Sequence, residues 1–132
     1  MVETSAAASL PSDELFDRMV RLRRDLHRRP ELSLQEELTA QRIAIELDDL
    51  GVTYRSGVGG YGIIAELPGH STGPTIALRA DIDALPIFEE TELPFASAVD
   101  GVMHACGHDG HTAILIGAAG LLIEHPAPGP TR

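Results

Sequence analysis

Met103-His104-Ala105-Cys106-Gly107-His108-Asp109-Gly110-His111 gathers the only cysteine of the chain and three of its six histidines into nine residues. Thiolate and imidazole are the side chains that hold transition metals best. Cys106 and His108 are two residues apart, so in extended backbone both point the same way. They could grip one metal ion, or one each of a pair. The stretch runs into a helix expected from about Gly110 to Glu124 and stopped by Pro126. A helix start is locally positive, which favours a thiolate at Cys106. The spacing His-x-Cys-x-His-x-x-His fits no common structural zinc pattern, so a catalytic metal site is the sharper reading. The blander alternative is a buried cysteine flanked by capping histidines.

The helix that follows is apolar all round, which predicts burial. Gly117 and Gly120 each weaken it by roughly 1 kcal/mol against Ala, and close packing on a strand is the expected compensation. Just upstream of the cluster, Thr75 to Asp81 reads as a buried strand through Ile76 and Leu78. It leads into Arg79-Ala80-Asp81-Ile82-Asp83-Ala84-Leu85-Pro86. Alternation puts Arg79, Asp81 and Asp83 on one side, where the apolar run ends. Open α/β sheets bind ligands at that edge. One of the two Asp side chains would face a metal or orient a metal-bound histidine. The alternative is that Arg79 neutralises Asp81 in solvent.

Further from the cluster the pattern is helical, then extended. Ser12 is a candidate N-cap. Leu15, Met19, Leu22 and Leu26 form one apolar stripe, and Pro30 sets the end of that helix. A second helix is expected from Ser33 to Leu50 on Leu34, Leu38, Ile43, Leu47 and Leu50, with Gly51 at C′. Asp48 and Asp49 stand near its C-terminus, where the helix dipole disfavours anions. Val52 to Arg55 is expected to be a short strand ending at Ser56-Gly57, and Tyr61 to Leu67 a second strand. Residues 68–74 read as a loop, and Glu89 to Asp100 shows no clear period. His27, His70 and His125 are isolated in sequence and read as surface or structural. Residues 1–11 and 126–132 are expected to be loose tails.

Composition limits the partners. The chain has 132 residues, 43% hydrophobic and 4% aromatic, so its core is aliphatic. A net charge of -10 argues against nucleic acid or an anionic membrane as partner. All ten basic residues are Arg, which excludes a lysine nucleophile. The longest apolar run, Ala113 to Ile123, is too short to span a bilayer. A lone Cys makes no intramolecular disulfide, so a reducing compartment, the cytoplasm, is expected.

Several pieces, in order, resemble the metal-dependent amidohydrolases related to aminoacylase and carboxypeptidase. These include hippurate hydrolases, N-acyl-amino-acid amidohydrolases and hydrolases of indole-acetyl-amino acids. The pieces are Arg23 to Leu32, Gly62 to Ala65, Ala77 to Pro86 and Gly101 to His111. His104-Ala105-Cys106-Gly107-His108-Asp109-Gly110-His111 is highly specific to the group. Ile82 stands where the family usually has Met.

The resemblance implies the N-terminal portion of a zinc-peptidase-like three-layer α/β/α domain with a mixed sheet. It implies a centre of two divalent metal ions, zinc or manganese, with Cys106 and His108 as ligands and Asp83 beside the site orienting a ligand. It also implies small N-acyl amino acid substrates and a homo-oligomeric full-length enzyme. The family's Glu-Glu pair with its general base, its remaining ligands and its inserted dimerisation domain are not found in the 132 residues, which read as a truncated chain without a complete site. Two rival readings differ in class: Cys106 as a histidine-activated nucleophile, or a non-catalytic remnant.

Overall fold

Ser12 does cap the first helix: its hydroxyl accepts the Leu15 N–H at 3.2 Å. In this computed structural model, residues 10–68 and 74–126 are described. Helix α1 (Asp13–Arg28) follows the cap, with Asp13 and Glu14 in its first turn and His27 and Arg28 in its last. That polarity suits the helix dipole. Leu15, Leu22 and Leu26 are buried, as the stripe predicts. The expected tails and loop at 1–9, 69–73 and 127–132, with His70, lie outside the described residues.

Helix α2 (Glu37–Asp49) starts four residues later than the sequence pattern predicts. Leu34 takes a left-handed φ of 67°, which no continuing α-helix accommodates. Leu34 and Leu38 are accordingly 77% and 58% exposed rather than core. The Glu31 carboxylate takes over the capping from outside, accepting the N–H of Leu38 at 3.1 Å and of Thr39 at 2.7 Å. Gly51 follows the helix at φ 70°, in the C′ role expected of it. The awkward acids at this end have partners. Arg18 of α1 pairs with Asp49 at 3.1 Å and with Glu46, and the Tyr54 hydroxyl donates to Asp48 at 3.2 Å.

Strands β1 (Thr53–Val58) and β2 (Gly62–Glu66) pair antiparallel, from Thr53 opposite Glu66 to Val58 opposite Gly62. The register shifts between Arg55 and Val58. Ser56-Gly57, expected to end the first strand, is instead absorbed as a bulge with Gly57 at φ 75°. The expected strand at Thr75 to Asp81 does not form. Ile76 and Leu78 are 66% and 61% exposed, and no strand among the described residues pairs with this segment. Apolar content is a bid for burial, but a strand also needs a hydrogen-bonded neighbour.

Helix α3 (His108–Glu124) packs on α1, not on a strand. Gly117 lies against Met19 and Gly120 against Leu15, so the two glycines admit a helix at close approach. One face of α3 is buried through Thr112, Ala113, Ile116, Gly117 and Gly120, while Ile114 is 60% exposed. The core joins Leu22 and Leu26 of α1, Ile43 and Leu47 of α2, Val52, and Ala113 and Ile116 of α3. The class is α/β: helices with a small sheet. No helix among the described residues is long and apolar enough to cross a membrane.

Candidate metal centre

Two backbone bonds join the two sequence motifs, and a third ties them to the segment before α2. The Ala84 N–H donates to Glu31 O at 2.8 Å. Leu85 and Met103 exchange both of their backbone bonds, at 2.9 and 3.0 Å. The clamp fixes Asp83 beside the turn that starts α3. At that turn Gly107 adopts φ 82°, a conformation that a residue with a Cβ enters only at a cost.

His108 is the first residue of α3, and its Nδ1 lies 2.9 Å from Asp83 Oδ1 and 3.0 Å from the Asp83 carbonyl oxygen. A carbonyl oxygen only accepts, so Nδ1 is the protonated nitrogen. The Nε2 lone pair is then left for a metal. A carboxylate on the far nitrogen is the usual partner of a metal-binding histidine, fixing its tautomer and raising its basicity. Asp81 behaves differently. Its carboxylate pairs with Arg79 at 2.8 Å, both side chains largely exposed, as the alternative reading of the pair expected. Its backbone carbonyl takes the Thr112 hydroxyl at 3.3 Å, tying the segment to α3.

Cys106 is exposed and unbridged. Of the two nearest imidazoles in sequence, His108 gives its Nδ1 to Asp83, and His104 is buried with neither ring nitrogen hydrogen-bonded among the described residues. Among the described residues no thiol–imidazole hydrogen bond is formed, so the geometry lends no support to a cysteine nucleophile. Burial pushes the His104 imidazole below its ordinary pKa, with Asp109 opposing and His27 assisting. Among the described residues no three His, Cys, Asp or Glu side chains converge to hold a metal ion. The donor set still fits such a group in part: one exposed thiol and one imidazole already fixed in its ligating tautomer.

The sequence reading missed a cluster behind this turn. His27, read as isolated, is 3% exposed. Its Nδ1 meets Asp109 Oδ2 at 2.8 Å and its Nε2 meets Glu89 Oε1 at 2.9 Å. Arg23 Nε also donates to Asp109 Oδ2, at 2.8 Å. Burial pushes the Glu89 carboxyl up, but hydrogen bonds from Thr91, the Ser97 N–H and His27 outweigh it and hold its pKa at about 2. Phe95 covers the group, 5.0 Å beneath the Arg23 guanidinium and edge-on to His27 at 5.6 Å. The one sequence signal was that Arg23 and His27, four apart, share a helical row beside the apolar stripe. His125 lies exposed after α3, as expected.

The same fold occurs in known proteins. Residues 77–132 match the model of peptidase family M20/M25/M40. N-acetylcysteine deacetylase of Bacillus subtilis is 53% identical over 122 residues, covering 88% of this chain and 31% of that protein. IAA-amino acid hydrolase ILR1-like 5 of Arabidopsis thaliana is 48% identical over 113 residues, 86% of this chain and 26% of that protein. The crystal structure of the B. subtilis YXEP protein, described as a dinuclear metal binding peptidase from the M20 family, superposes with a TM-score of 0.84 at 49% identity. That match covers 91% of this chain and 35% of that one. The chain thus spans about three tenths of the length of the curated relatives it matches. With the fold and about half of the residues held in common with these proteins, the chain matches the N-terminal part of the M20/M25/M40 peptidases.

Proposed function

We propose that this chain carries part of the metal centre of an amidohydrolase that cleaves the amide bond of N-acyl amino acids or similar small amides. The observation that carries the reading is the Asp83 grip on His108 Nδ1, through both side-chain and backbone oxygens. It leaves His108 Nε2 available to a metal, two residues from the exposed thiol of Cys106. Two relatives are named for hydrolysis of N-acetylcysteine and of IAA-amino acids. The shared chemistry is an amide joining an acyl group to an amino acid.

Cys106 would supply its sulfur as a thiolate ligand to the metal. His108 would supply Nε2, held by Asp83. When bound, divalent ions would polarise the amide carbonyl and lower the pKa of the attacking water. The remaining ligands and the general base belong, on this reading, to the part of its relatives' length that this chain does not span. Soft thiolate ligation favours zinc over manganese.

Zinc titration of the reduced chain against a Cys106→Ala variant tests the assignment. The chain is expected to bind zinc weakly, since two protein donors leave most of a four-coordinate site to water. Binding should weaken further without the thiol. Equal affinities for the two proteins would remove Cys106 from the site.

A further inference from the structure

The buried cluster behind the turn that starts α3 has a charge pattern set by its hydrogen bonds. Each ring nitrogen of His27 faces a carboxylate oxygen, at 2.8 and 2.9 Å. A neutral imidazole has one N–H, and its bare nitrogen would oppose the second carboxylate. Both nitrogens therefore donate, and His27 is an imidazolium. The group then balances: Asp109 and Glu89 against His27 and Arg23. Asp109 and His27 are 1% and 3% exposed, so loss of the imidazolium would leave a buried carboxylate poorly compensated.

The position of this balance matters. Asp109 directly follows His108 in the first turn of α3. His108 reaches out to Asp83, and Asp109 reaches back to α1. Adjacent residues thus anchor the helix start from two sides. Cys106 lies on the other side of the left-handed Gly107, so the direction of its thiol depends on where that helix start is held. His27 holds Glu89, and the next residue of the chain, Arg28, accepts the Ala98 N–H at 2.9 Å.

We propose that His27 is a positioning residue for metal binding: through Asp109 and Glu89 it holds the start of α3 so that Cys106 and His108 present their donors to one centre. The proposal rests on the ligand reading above. Nothing in the sequence motif itself contains His27, which lies 82 residues from Asp109.

Cobalt(II) titration of the reduced chain tests it, because a thiolate ligand gives a near-ultraviolet charge-transfer band. The band is expected with the unmodified chain and absent with Cys106→Ala. His27→Gln should bind cobalt roughly 10–100-fold more weakly, with a diminished band, as is usual when a group that orients a ligand is lost. Ile43→Ala, in the core on α2, serves as the stability control. With a comparable fall in melting temperature it should keep the unmodified affinity and band. If His27→Gln does not fold, Glu89→Gln decides, since it keeps an acceptor for His27 and removes one charge; a weaker affinity is expected. Unmodified affinity in the variant that folds, with the band still lost in Cys106→Ala, overturns the positioning role and leaves the ligand assignment standing. An equal loss in Ile43→Ala reduces His27 to fold stability and also overturns it. No band in the unmodified chain overturns the ligand assignment and the proposal together.

Discussion

Asp81 and Asp83 stand two residues apart, yet only Asp83 reaches a candidate ligand, His108. Asp81 shares solvent with Arg79, and such an exposed pair contributes at most about 1 kcal/mol. Asp83 fixes the tautomer of His108. Asp83→Ala is therefore expected to weaken zinc binding roughly 10–100-fold, and Asp81→Ala to leave it unchanged, both read by titration of the reduced chain. Equal losses would mean that local charge, not orientation, controls the site. The motif residues were legible because their chemistry is local: thiol, imidazole and carboxylate at short spacing. His27 and Glu89 were not, because their partners lie 82 and 62 residues away. Glu89 also sits in a stretch without period. Its pKa of about 2, against an ordinary 4.5, makes a claim about pH. A carboxyl depressed in the folded state binds fewer protons there than when unfolded. Its stabilisation is present above about pH 4.5 and is lost as pH falls toward 2. The melting temperature should drop across that window, and Glu89→Gln should flatten the drop. An unchanged pH profile in that variant would show that Glu89 is not ionised in the cluster.

The helices were read well where a cap, an apolar stripe and a stop coincide, as in α1. The start of α2 was missed because Glu31 caps it from a distance while Leu34 turns left-handed. Neither event leaves a periodic trace. The α/β class was legible, but the third strand was not realised. Hydrophobicity signals burial without saying which strand supplies the hydrogen bonds. For α3 the sequence flagged Gly117 and Gly120 as costs, and contact with α1 explains them. A Cβ at Gly120 would sit 2.8 Å from Leu15 Cδ1, a branched side chain that is 5% exposed. At Gly117 it would overlap Met19, a flexible and half-buried side chain. Overpacking costs about 1–3 kcal/mol, against about 1 kcal/mol gained from helix propensity. Gly120→Ala is thus expected to destabilise by up to about 2 kcal/mol and Gly117→Ala by less, in urea unfolding. The reverse order would mean that Met19, not Leu15, is the rigid neighbour.

For the molecule as a whole, charge and apolar surface oppose one another. Ile76, Leu78 and Phe88 are 66%, 61% and 65% exposed, all within the segment that leads into and past Asp83. Residues 75–80 donate to and accept from no strand among the described residues. Unpaired backbone with apolar side chains is a template for association. The net charge of -10 resists it at low ionic strength. Salt shortens the range of that repulsion, to about 10 Å at 0.1 M and about 3 Å at 1 M. The apolar contribution is not screened in this way. The chain is therefore expected to self-associate with rising concentration, and more strongly at 1 M than at 0.1 M salt. Ile76→Asp combined with Leu78→Asp should suppress the association by placing charge on the segment itself. Sedimentation velocity over a concentration series at both salt levels measures this. A monomer under all conditions would show that the segment is protected, and a double variant that associates as readily as the unmodified chain would place the contact elsewhere, with the exposed α3 face at Ile114 the next surface to test.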